Sequence, residues 1–224
     1  MTFSLLGVDP QSGGFGAVIS SSSPAVAARC LAVRAAVGAA ASQNITDPRL
    51  GTRLLDLLAD GASPQQAIDE VVASAPDVGY RQLAAIDAQG HTAAYSGPHM
   101  LGTHACAHGT GAVAAGNLLA HTSVPARMIE VFEATRGPKL GDRLIAALRA
   151  GLSAGGEEGP VHSAGLLVAE AVEWPVTDLR VDWTDDPVED LAALWRLWEP
   201  QSGLYVQRAL DPSAAPTFGV PGDE

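Results

Sequence analysis

The sequence predicts an α+β protein in which antiparallel sheets are covered by helices. Short apolar segments come in pairs joined by turn-forming residues, which is typical of β-hairpins. Amphipathic helices also come in pairs, between the hairpins rather than singly after each strand. The chain contains neither a Walker nor a Rossmann glycine motif and shows no internal repeat, so a parallel βαβ fold is not favoured.

Each predicted element follows from the spacing of apolar residues and from the residues that interrupt them. Strands are predicted where short apolar segments end at Gly, Pro, Asn or Ser, and helices where Leu, Ile, Val or Met recur at three- and four-residue intervals. In chain order, we predict strands over 2–8, 15–19 and 32–41, helices over 52–59 and 63–75, strands over 80–87, 91–96 and 112–115, two helices within 125–150, strands over 163–169 and 177–183, and a helix from 186–187 onwards. No linker divides the chain, so residues 1–224 are predicted to form one domain whose last segment, 201–224, is a surface tail.

Composition and charge restrict the classes of function. Hydrophobic residues make up 47% of the 224 residues, as in a globular core, and the formal net charge of −12 disfavours a nucleic-acid or anionic-membrane partner. Two cysteines, Cys30 and Cys106, are too few for a disulfide framework. Neither a signal peptide nor an apolar segment long enough to span a membrane is apparent. We therefore expect a cytoplasmic protein that needs no cofactor.

Thr2 is the best candidate for a catalytic residue. It follows an initiator methionine, which processing usually removes when a small residue comes second. Removal would leave a threonine with both a hydroxyl and a free α-amine, and that pair supplies a nucleophile together with its general base. Because residues 2–8 and 15–19 predict a hairpin, we expect Thr2 to be held in a sheet.

Two other patterns have competing interpretations. His104, Cys106 and His108 alternate and would share one face of a strand, as in a zinc site, but a structural zinc needs four ligands and only His99 is an obvious fourth. Histidines scattered over a loop and a strand without a shared metal are the more frequent case, so no metal site is predicted. The serines at 20–23, which no G-x-S-x-G elbow surrounds, are interpreted as a strand end or loop.

Polar segments between the predicted elements are candidates for functional loops. Residues 42–51 combine Ser, Gln, Asn and Asp with Pro and Gly directly after a predicted strand, a composition typical of loops that carry functional residues. Asn117 follows Gly116 at the end of another predicted strand. Its amide is a candidate donor to an oxyanion, although asparagine after glycine is also common in turns.

Along its whole length, the sequence resembles the DUF1028 family. The motifs that carry the resemblance are Thr-Phe-Ser at 2–4, Ala-Ser-Gln at 41–43, Asp-Pro-Arg-Leu-Gly at 47–51, Tyr-Arg-Gln-Leu at 80–83, Gly-Asn-Leu-Leu at 116–119, Ala-Gly-Gly-Glu at 154–157, Ser-Ala-Gly-Leu-Leu-Val at 163–168, Asp-Leu-Arg-Val-Asp at 178–182 and the C-terminal segment 208–223. That family is assigned to the N-terminal nucleophile (Ntn) hydrolase-like superfamily. The resemblance therefore implies a four-layer α-β-β-α sandwich of two antiparallel sheets, with Thr2 as the candidate nucleophile.

The resemblance also implies roles for particular residues. Thr2 would attack an amide carbonyl while its α-amine transfers the proton, and Arg34 lies where related enzymes often place a cation that lowers the pKa of the amine. A surface arginine on a strand end is an equally open interpretation of Arg34. Asn117 joins these two as a catalytic candidate. The residues expected to bind the substrate, because they fall on family motifs at the ends of segments, are Gln43, Asn44, Arg49, Arg81, Glu157 and Ser163. The arginines would favour a substrate that carries a carboxylate.

The leading hypothesis is an Ntn-type amidohydrolase that cleaves a small amide or peptide-like substrate, and the resemblance is compatible with a homo-oligomer. A rival hypothesis is a non-catalytic Ntn-like fold used for ligand binding or assembly. The rival is favoured by Ser22 and Ser23, where many relatives have a lysine and an aromatic residue, and by Ala115, where a glutamine often precedes Gly-Asn. A third hypothesis is a metal-dependent hydrolase that uses the strand bearing histidines and a cysteine.

Overall fold

In the described residues, 1–135, 139–217 and 219, the computed structural model contains ten strands and six α-helices. The strands are β1 (Thr2–Val8), β2 (Phe15–Ser21), β3 (Leu31–Arg34), β4 (Gly38–Asn44), β5 (Arg81–Asp87), β6 (Thr92–Ser96), β7 (Ala105–Gly109), β8 (Ala112–Asn117), β9 (Ser163–Ala169) and β10 (Pro175–Val181). The helices are α1 (Ala27–Cys30), α2 (Pro48–Ala59), α3 (Pro64–Ser74), α4 (Val124–Ala134), α5 (Leu140–Ser153) and α6 (Pro187–Leu210).

The strands form two sheets in which every pair of neighbours is antiparallel. The six-stranded sheet has the order β10-β9-β2-β1-β8-β7, and the four-stranded sheet has the order β3-β4-β5-β6. The N-terminal strand β1 therefore lies in the middle of the larger sheet, paired with β2 on one side and β8 on the other. This position keeps the first residues of the chain hydrogen-bonded on both edges.

The two sheets pack face to face, and helices cover their outer faces. The larger sheet buries Phe3 and Leu5 against α4, α5 and α6, and the smaller sheet buries Leu83 against α2 and α3. The inner faces meet through Leu6, Phe15 and a group of smaller residues, mostly alanines. Side chains of a strand alternate between its two faces, and here both sets are largely apolar, so each sheet is buried on both faces. The predicted α+β class and the four-layer α-β-β-α sandwich are confirmed.

The segment predicted as a single strand over 32–41 forms the hairpin of β3 and β4 instead. Its turn contains Ala36, whose φ is +59°, and Gly38, the first residue of β4, has a φ of +152°. Alanine gives no turn signal in a sequence because it rarely adopts a positive φ. The same hairpin shifts residues 42–44, expected in a loop, into β4, and α2 begins at Pro48 with Asp47 as its N-cap.

Helix α6 is longer than predicted, since residues 201–210 of the expected tail belong to it. Pro200 lacks a backbone N–H and predicts a helix end, but the Trp198 ring packs on that of Tyr205 at 5.0 Å between centroids and joins the two halves. Residues 218 and 220–224, which end the predicted tail, lie outside the described residues. Among the helices of the described chain, α6 included, none combines the length and the apolar character needed to cross a membrane.

Gly141 on α5 is predicted to be intolerant of a side chain. A Cβ atom there would lie 2.5 Å from the ring of the buried Trp195 on α6, whose Nε1 donates to Asp142 Oδ1 at 2.8 Å. We expect Gly141→Ala to lower the free energy of unfolding by about 1–3 kcal/mol, because the ring must leave its packed position. Denaturant unfolding measures this change.

The matched control is Gly203→Ala on α6, where the added Cβ would have no described heavy atom within 4 Å apart from its chain neighbours and the nearby backbone of its own helix. Alanine is the better helix former, so we expect this variant to gain up to about 1 kcal/mol. Equal losses of stability in the two variants would contradict the packing argument.

Candidate functional site

A row of polar residues crosses four neighbouring strands of the larger sheet. The row, hereafter the polar row, consists of Asn117 on β8, Thr2 on β1, Ser21 on β2 and Ser163 on β9. Asn117 is paired with Thr2 and Ser21 with Ser163, and the register of β1 and β2 places Thr2 beside Ser21. All four residues are buried, with Thr2 only 4% exposed. Directly opposed residues lie on the same face of a sheet, so the four side chains share the face toward the smaller sheet.

Met1 covers the two hydroxyls in the middle of the polar row. Thr2 Oγ1 and Ser21 Oγ both donate to the carbonyl oxygen of Met1. Met1 itself is 39% exposed. Loss of Met1 would therefore take away one acceptor from two hydroxyls and place the α-amine of Thr2 at the surface of the same cluster.

Glu157 is a buried carboxyl close to the N-terminus. Its loop follows α5 and pairs with Leu119 through an isolated bridge, and both carboxyl oxygens accept from the backbone N–H of Ser22 at 3.1 Å. Burial raises the pKa of Glu157 to about 7, against the opposing effects of the Ser22 hydrogen bonds, the N-terminal amino group and His162. A carboxyl with such a pKa exchanges a proton near neutral pH.

A chain of buried amides connects the polar row to the smaller sheet. Ser4, two residues along β1 from Thr2, donates to Gln43 Oε1 at 2.7 Å, and Gln43 Nε2 donates to Gln82 Oε1 at 2.8 Å. The same Gln82 oxygen accepts from Asn117 Nδ2 at 3.3 Å, and Gln82 Nε2 donates to the carbonyl of Gly116 at 3.1 Å. Because the Gln43 and Gln82 amides bind the next member of the chain, the chain holds the two sheets in one register at this end.

This chain of hydrogen bonds orients the amide of Asn117. The carbonyl of Gly116 accepts from Gln82 Nε2, so Gln82 must present its oxygen to Asn117 Nδ2. Asn117 Oδ1 is buried and has no partner among the described residues. The side chain therefore offers an acceptor to the site, whereas the sequence-based expectation was a donor to an oxyanion.

Ser163 closes the polar row at its β9 end. Its hydroxyl donates to the carbonyl of Ser23 at 2.6 Å and accepts from the N–H of Val26 at 3.2 Å. These contacts fix the segment that follows β2 and leaves the sheet beside Glu157. Ser163 therefore shapes the wall of the site through backbone contacts.

Two of the predicted arginines form ion pairs with aspartates, and one of them, Arg34, also lies at the other end of the smaller sheet from Thr2. Arg34 is at the hairpin end of β3, opposite Gly38, and its guanidinium donates to Asp56 of α2 at 2.8 Å. The Ser4–Gln43 contact places Thr2 near the other end of β4. Arg49 has a side chain that is 82% exposed, and its two hydrogen bonds to Asp47 hold the pKa of that carboxyl below its usual value. Arg34 and Arg49 therefore form ion pairs at the surface.

Asn44 and Arg81 lie at the correct end of the smaller sheet but on its other face. Asn44 follows Gln43 on β4, and Arg81 precedes Gln82 on β5. Because successive side chains alternate between the faces of a sheet, both point away from the larger sheet. Asn44 Nδ2 donates to the carbonyl of Tyr80 at 2.7 Å, and Arg81 Nη1 donates to the carbonyl of Ile45. Both side chains hold loop backbone.

The segment with two histidines and a cysteine lacks the geometry of a metal site, and its first histidine, His104, precedes β7. His104 Nδ1 lies 3.2 Å from the carbonyl of Gly102, and His108 Nδ1 lies 2.8 Å from Thr92 Oγ1. Cys106 contacts Gln82 and Ser96 through its sulfur. Within the described ranges no three His, Cys, Asp or Glu side chains come close enough to hold a metal ion.

Three members of the site were not identified from the sequence. Ser21 was assigned to a strand end without a role, and Ser4 and Gln82 were noted only as letters of family motifs. Strand alternation was the available signal, because it places Ser4 on the same face as Thr2. The position of Gln82 depends on how the two sheets stack, which no local pattern reports.

The layers and the polar row together define a four-layer α+β protein with a buried threonine at the start of a central strand. The chain belongs to the DUF1028 family, a family of unknown function, whose model matches residues 2–191. The expected membership is thus confirmed. A crystal structure of protein SPO2555 from Silicibacter pomeroyi, also of DUF1028, matches with a TM-score of 0.84 and 32% sequence identity, covering 93% of this chain and 89% of that one.

A second solved structure is only weakly similar, in both sequence and TM-score. Anbu (ancestral beta-subunit) from Yersinia bercovieri matches with a TM-score of 0.39 and 10% identity, covering 92% of this chain and 97% of that one. A likeness at this level supports no conclusion about fold or activity. No curated protein matches the chain.

Gln82 is predicted to be the most sensitive residue of the buried amide chain. Gln82→Ala leaves Gln43 Nε2 and Asn117 Nδ2 without their acceptor and opens a cavity between the sheets. We expect a loss of about 3 kcal/mol in the free energy of unfolding. Urea unfolding of this variant and of Gln65→Ala, an exposed glutamine on α3 that should change stability by less than about 0.5 kcal/mol, checks the prediction. Similar small losses in both would contradict it.

Glu157 is predicted to make the stability of the protein depend on pH. Its folded pKa of about 7 lies above the ordinary value of 4.5, so the folded state holds the proton more tightly than the unfolded chain does. The free energy of unfolding is therefore unaffected by this titration below pH 4.5, and it falls as the pH rises from 4.5 to 7. The total decline is at most about 3 kcal/mol.

Glu157→Gln removes the titration and keeps an acceptor for the Ser22 N–H. Unfolding measured across this pH range should therefore show wild type losing stability relative to the variant as the pH rises. A constant difference between the two proteins would show that the carboxyl keeps an ordinary pKa.

Proposed function

We propose that the protein is an N-terminal-threonine amidohydrolase that cleaves a small amide or peptide-like substrate. The observation that carries this proposal is the buried hydroxyl of Thr2 at the start of a central strand, inside the polar row and beside Glu157. A threonine at this place, once Met1 is removed, carries its nucleophile and its base on one residue. The fold implied by the family resemblance is consistent with this chemistry.

In the proposed reaction, Thr2 Oγ attacks the carbonyl carbon of the substrate and forms a C–O bond. The α-amine of Thr2 accepts the hydroxyl proton and delivers it to the departing nitrogen as the C–N bond breaks. Water then hydrolyses the resulting ester and restores the threonine. In this proposal the Ser21 hydroxyl, which donates to the Met1 carbonyl, donates to the carbonyl oxygen of the substrate in the same way.

Glu157 and Asn117 are proposed to bind N–H groups on the substrate or on the Thr2 amine. Glu157 provides a buried carboxyl and Asn117 an acceptor oxygen without a described partner. Since Arg34 and Arg49 are engaged with Asp56 and Asp47, they no longer argue for a substrate carboxylate. A small amide or peptide with an amino group near the scissile bond fits these acceptors better.

The first test compares three proteins in a screen of small amides and dipeptides. We expect wild type of confirmed Thr2 start to hydrolyse at least one compound, and Thr2→Val to be slower by roughly a thousandfold or more because it keeps the shape but lacks the nucleophile. Thr2→Ser keeps a hydroxyl and should retain activity. Intact mass establishes the N-terminus of each protein, and unfolding experiments establish that all three are folded.

Two outcomes would overturn this proposal. Activity in wild type that retains Met1, or unchanged activity in Thr2→Val, would exclude Thr2 as the nucleophile. Saturable binding of a compound by protein of Thr2 start without any hydrolysis would support the rival function in ligand binding or assembly. The cytoplasmic location and the homo-oligomer suggested by the sequence remain predictions.

A further inference from the structure

A cavity of about 680 Å³ lies at the end of the larger sheet opposite the polar row. Three hairpin turns meet there, those between β1 and β2, β5 and β6, and β7 and β8, and α4 and α5 close the side. The lining residues are Val8, Asp9, Pro10, Gln11, Gln89, Gly90, Gly109, Thr110, Gly111, Glu133, Thr135 and Arg143. Since Val8 ends the strand that Thr2 begins, the cavity and the polar row are separated by roughly 20 Å. This volume is that of a small-molecule site.

Arg143 lines this cavity with a guanidinium that has few partners. The side chain is only 16% exposed and lies over the ring of Phe132, 4.1 Å from the centroid. Nη1 is 3.7 Å from Asp9 Oδ1, and Nη2 donates to the carbonyl of Phe132 at the long distance of 3.5 Å. Nε is buried and has no acceptor in the described part of the chain. A guanidinium presents five donors, and burying them without acceptors is unfavourable.

An arginine on the same helix shows what a satisfied ion pair looks like. Arg149, two turns further along α5, donates through both Nε and Nη2 to the two oxygens of Glu189, with Nε 2.6 Å from Oε1. The bidentate ion pair of Arg149 with Glu189 is exposed, whereas Arg143 is more buried and has no carboxylate in a bidentate arrangement. An internal ion pair with Asp9 therefore leaves the guanidinium of Arg143 unsatisfied. A carboxylate that enters the cavity would pair with this guanidinium.

Two carboxylates share the cavity with Arg143. Glu133 accepts from the backbone N–H of Thr110 at 2.6 Å, which holds it at the β7–β8 turn. Asp9 is partly buried and accepts from Ser12 Oγ at 2.8 Å within its own turn. Among the described residues, the lining carries one positive and two negative charges, a balance that repels phosphates and dicarboxylates and favours a ligand with both signs.

We propose that this cavity binds a small zwitterion of the α-amino-acid class. The ligand's carboxylate pairs with the Arg143 guanidinium, and its ammonium forms ion pairs with Glu133 and Asp9. Its side chain lies against Val8 and the glycine-containing turns. The site is separate from the Thr2 chemistry and does not depend on it.

Isothermal titration calorimetry of the full chain tests the proposal. The probes are the individual standard L-amino acids, with succinate as an anion-only probe and putrescine as a cation-only probe. We expect at least one amino acid to bind saturably with a Kd below about 10 mM, and succinate and putrescine to bind at least about tenfold more weakly. Absence of saturable binding by any amino acid, or tighter binding of succinate, would overturn the proposal.

Four variants test whether the amino acid binds in this cavity rather than elsewhere on the protein. Arg143→Lys keeps the charge but loses the planar fork, and Glu133→Gln keeps an acceptor for the Thr110 N–H but loses the charge; each should weaken amino-acid binding by about tenfold or more. Arg149→Lys on the same helix and Thr2→Val should bind as wild type does. Unchanged affinity in both cavity variants, with thermal unfolding confirming that they are folded, would overturn the proposal.

Discussion

The close approach of the two inner sheet faces is the constraint on which the rest of the structure depends. Alanines at 17, 39, 41 and 84 occupy much of this interface, so the sheets lie against each other with little side-chain volume between them. At one end the apolar contacts give way to the amide chain centred on Gln82. Buried amides are stable there only because each finds its partner, and a shift of either sheet by one residue would break the chain.

The same constraint gives the central strand β1 two different ends. At Thr2 the inner face is polar, and hydroxyls from three strands lie side by side because antiparallel pairing brings strand beginnings and strand ends together. At Val8 the hairpin turns cannot pack against each other as flat strands do, and a cavity remains between them. A largely buried ionisable group lies at each end, the Glu157 carboxyl and the Arg143 guanidinium. Both are unfavourable for folding and suited to contact with a ligand.

Strand alternation and turn residues in the sequence predicted antiparallel sheets covered by helices, and the family resemblance implied the four layers and part of the site. Thr2, Asn117 and Ser163 were all expected at segment ends, and pairing of β8, β1, β2 and β9 places them in one row. Arg34 was expected near Thr2 and Arg49 among the substrate-binding residues, but they form ion pairs with Asp56 and Asp47. An arginine next to a functional segment satisfies its charge with the nearest acid, and a sequence does not show which acid is nearest.

The sequence by itself determined the class of fold, the family and the candidate nucleophile, because hydrophobic periodicity and short motifs are local properties of a chain. Only the tertiary structure decided the direction in which Asn117 presents its amide, the proximity of Glu157 to the N-terminus and the burial of Arg143. Those three features arise from contacts between residues far apart in the chain, namely Gln82 with Asn117, Ser22 with Glu157 and Asp9 with Arg143. The electrostatic environment of a side chain is set by all of its neighbours in space, and these are known only once the sheets and helices are packed.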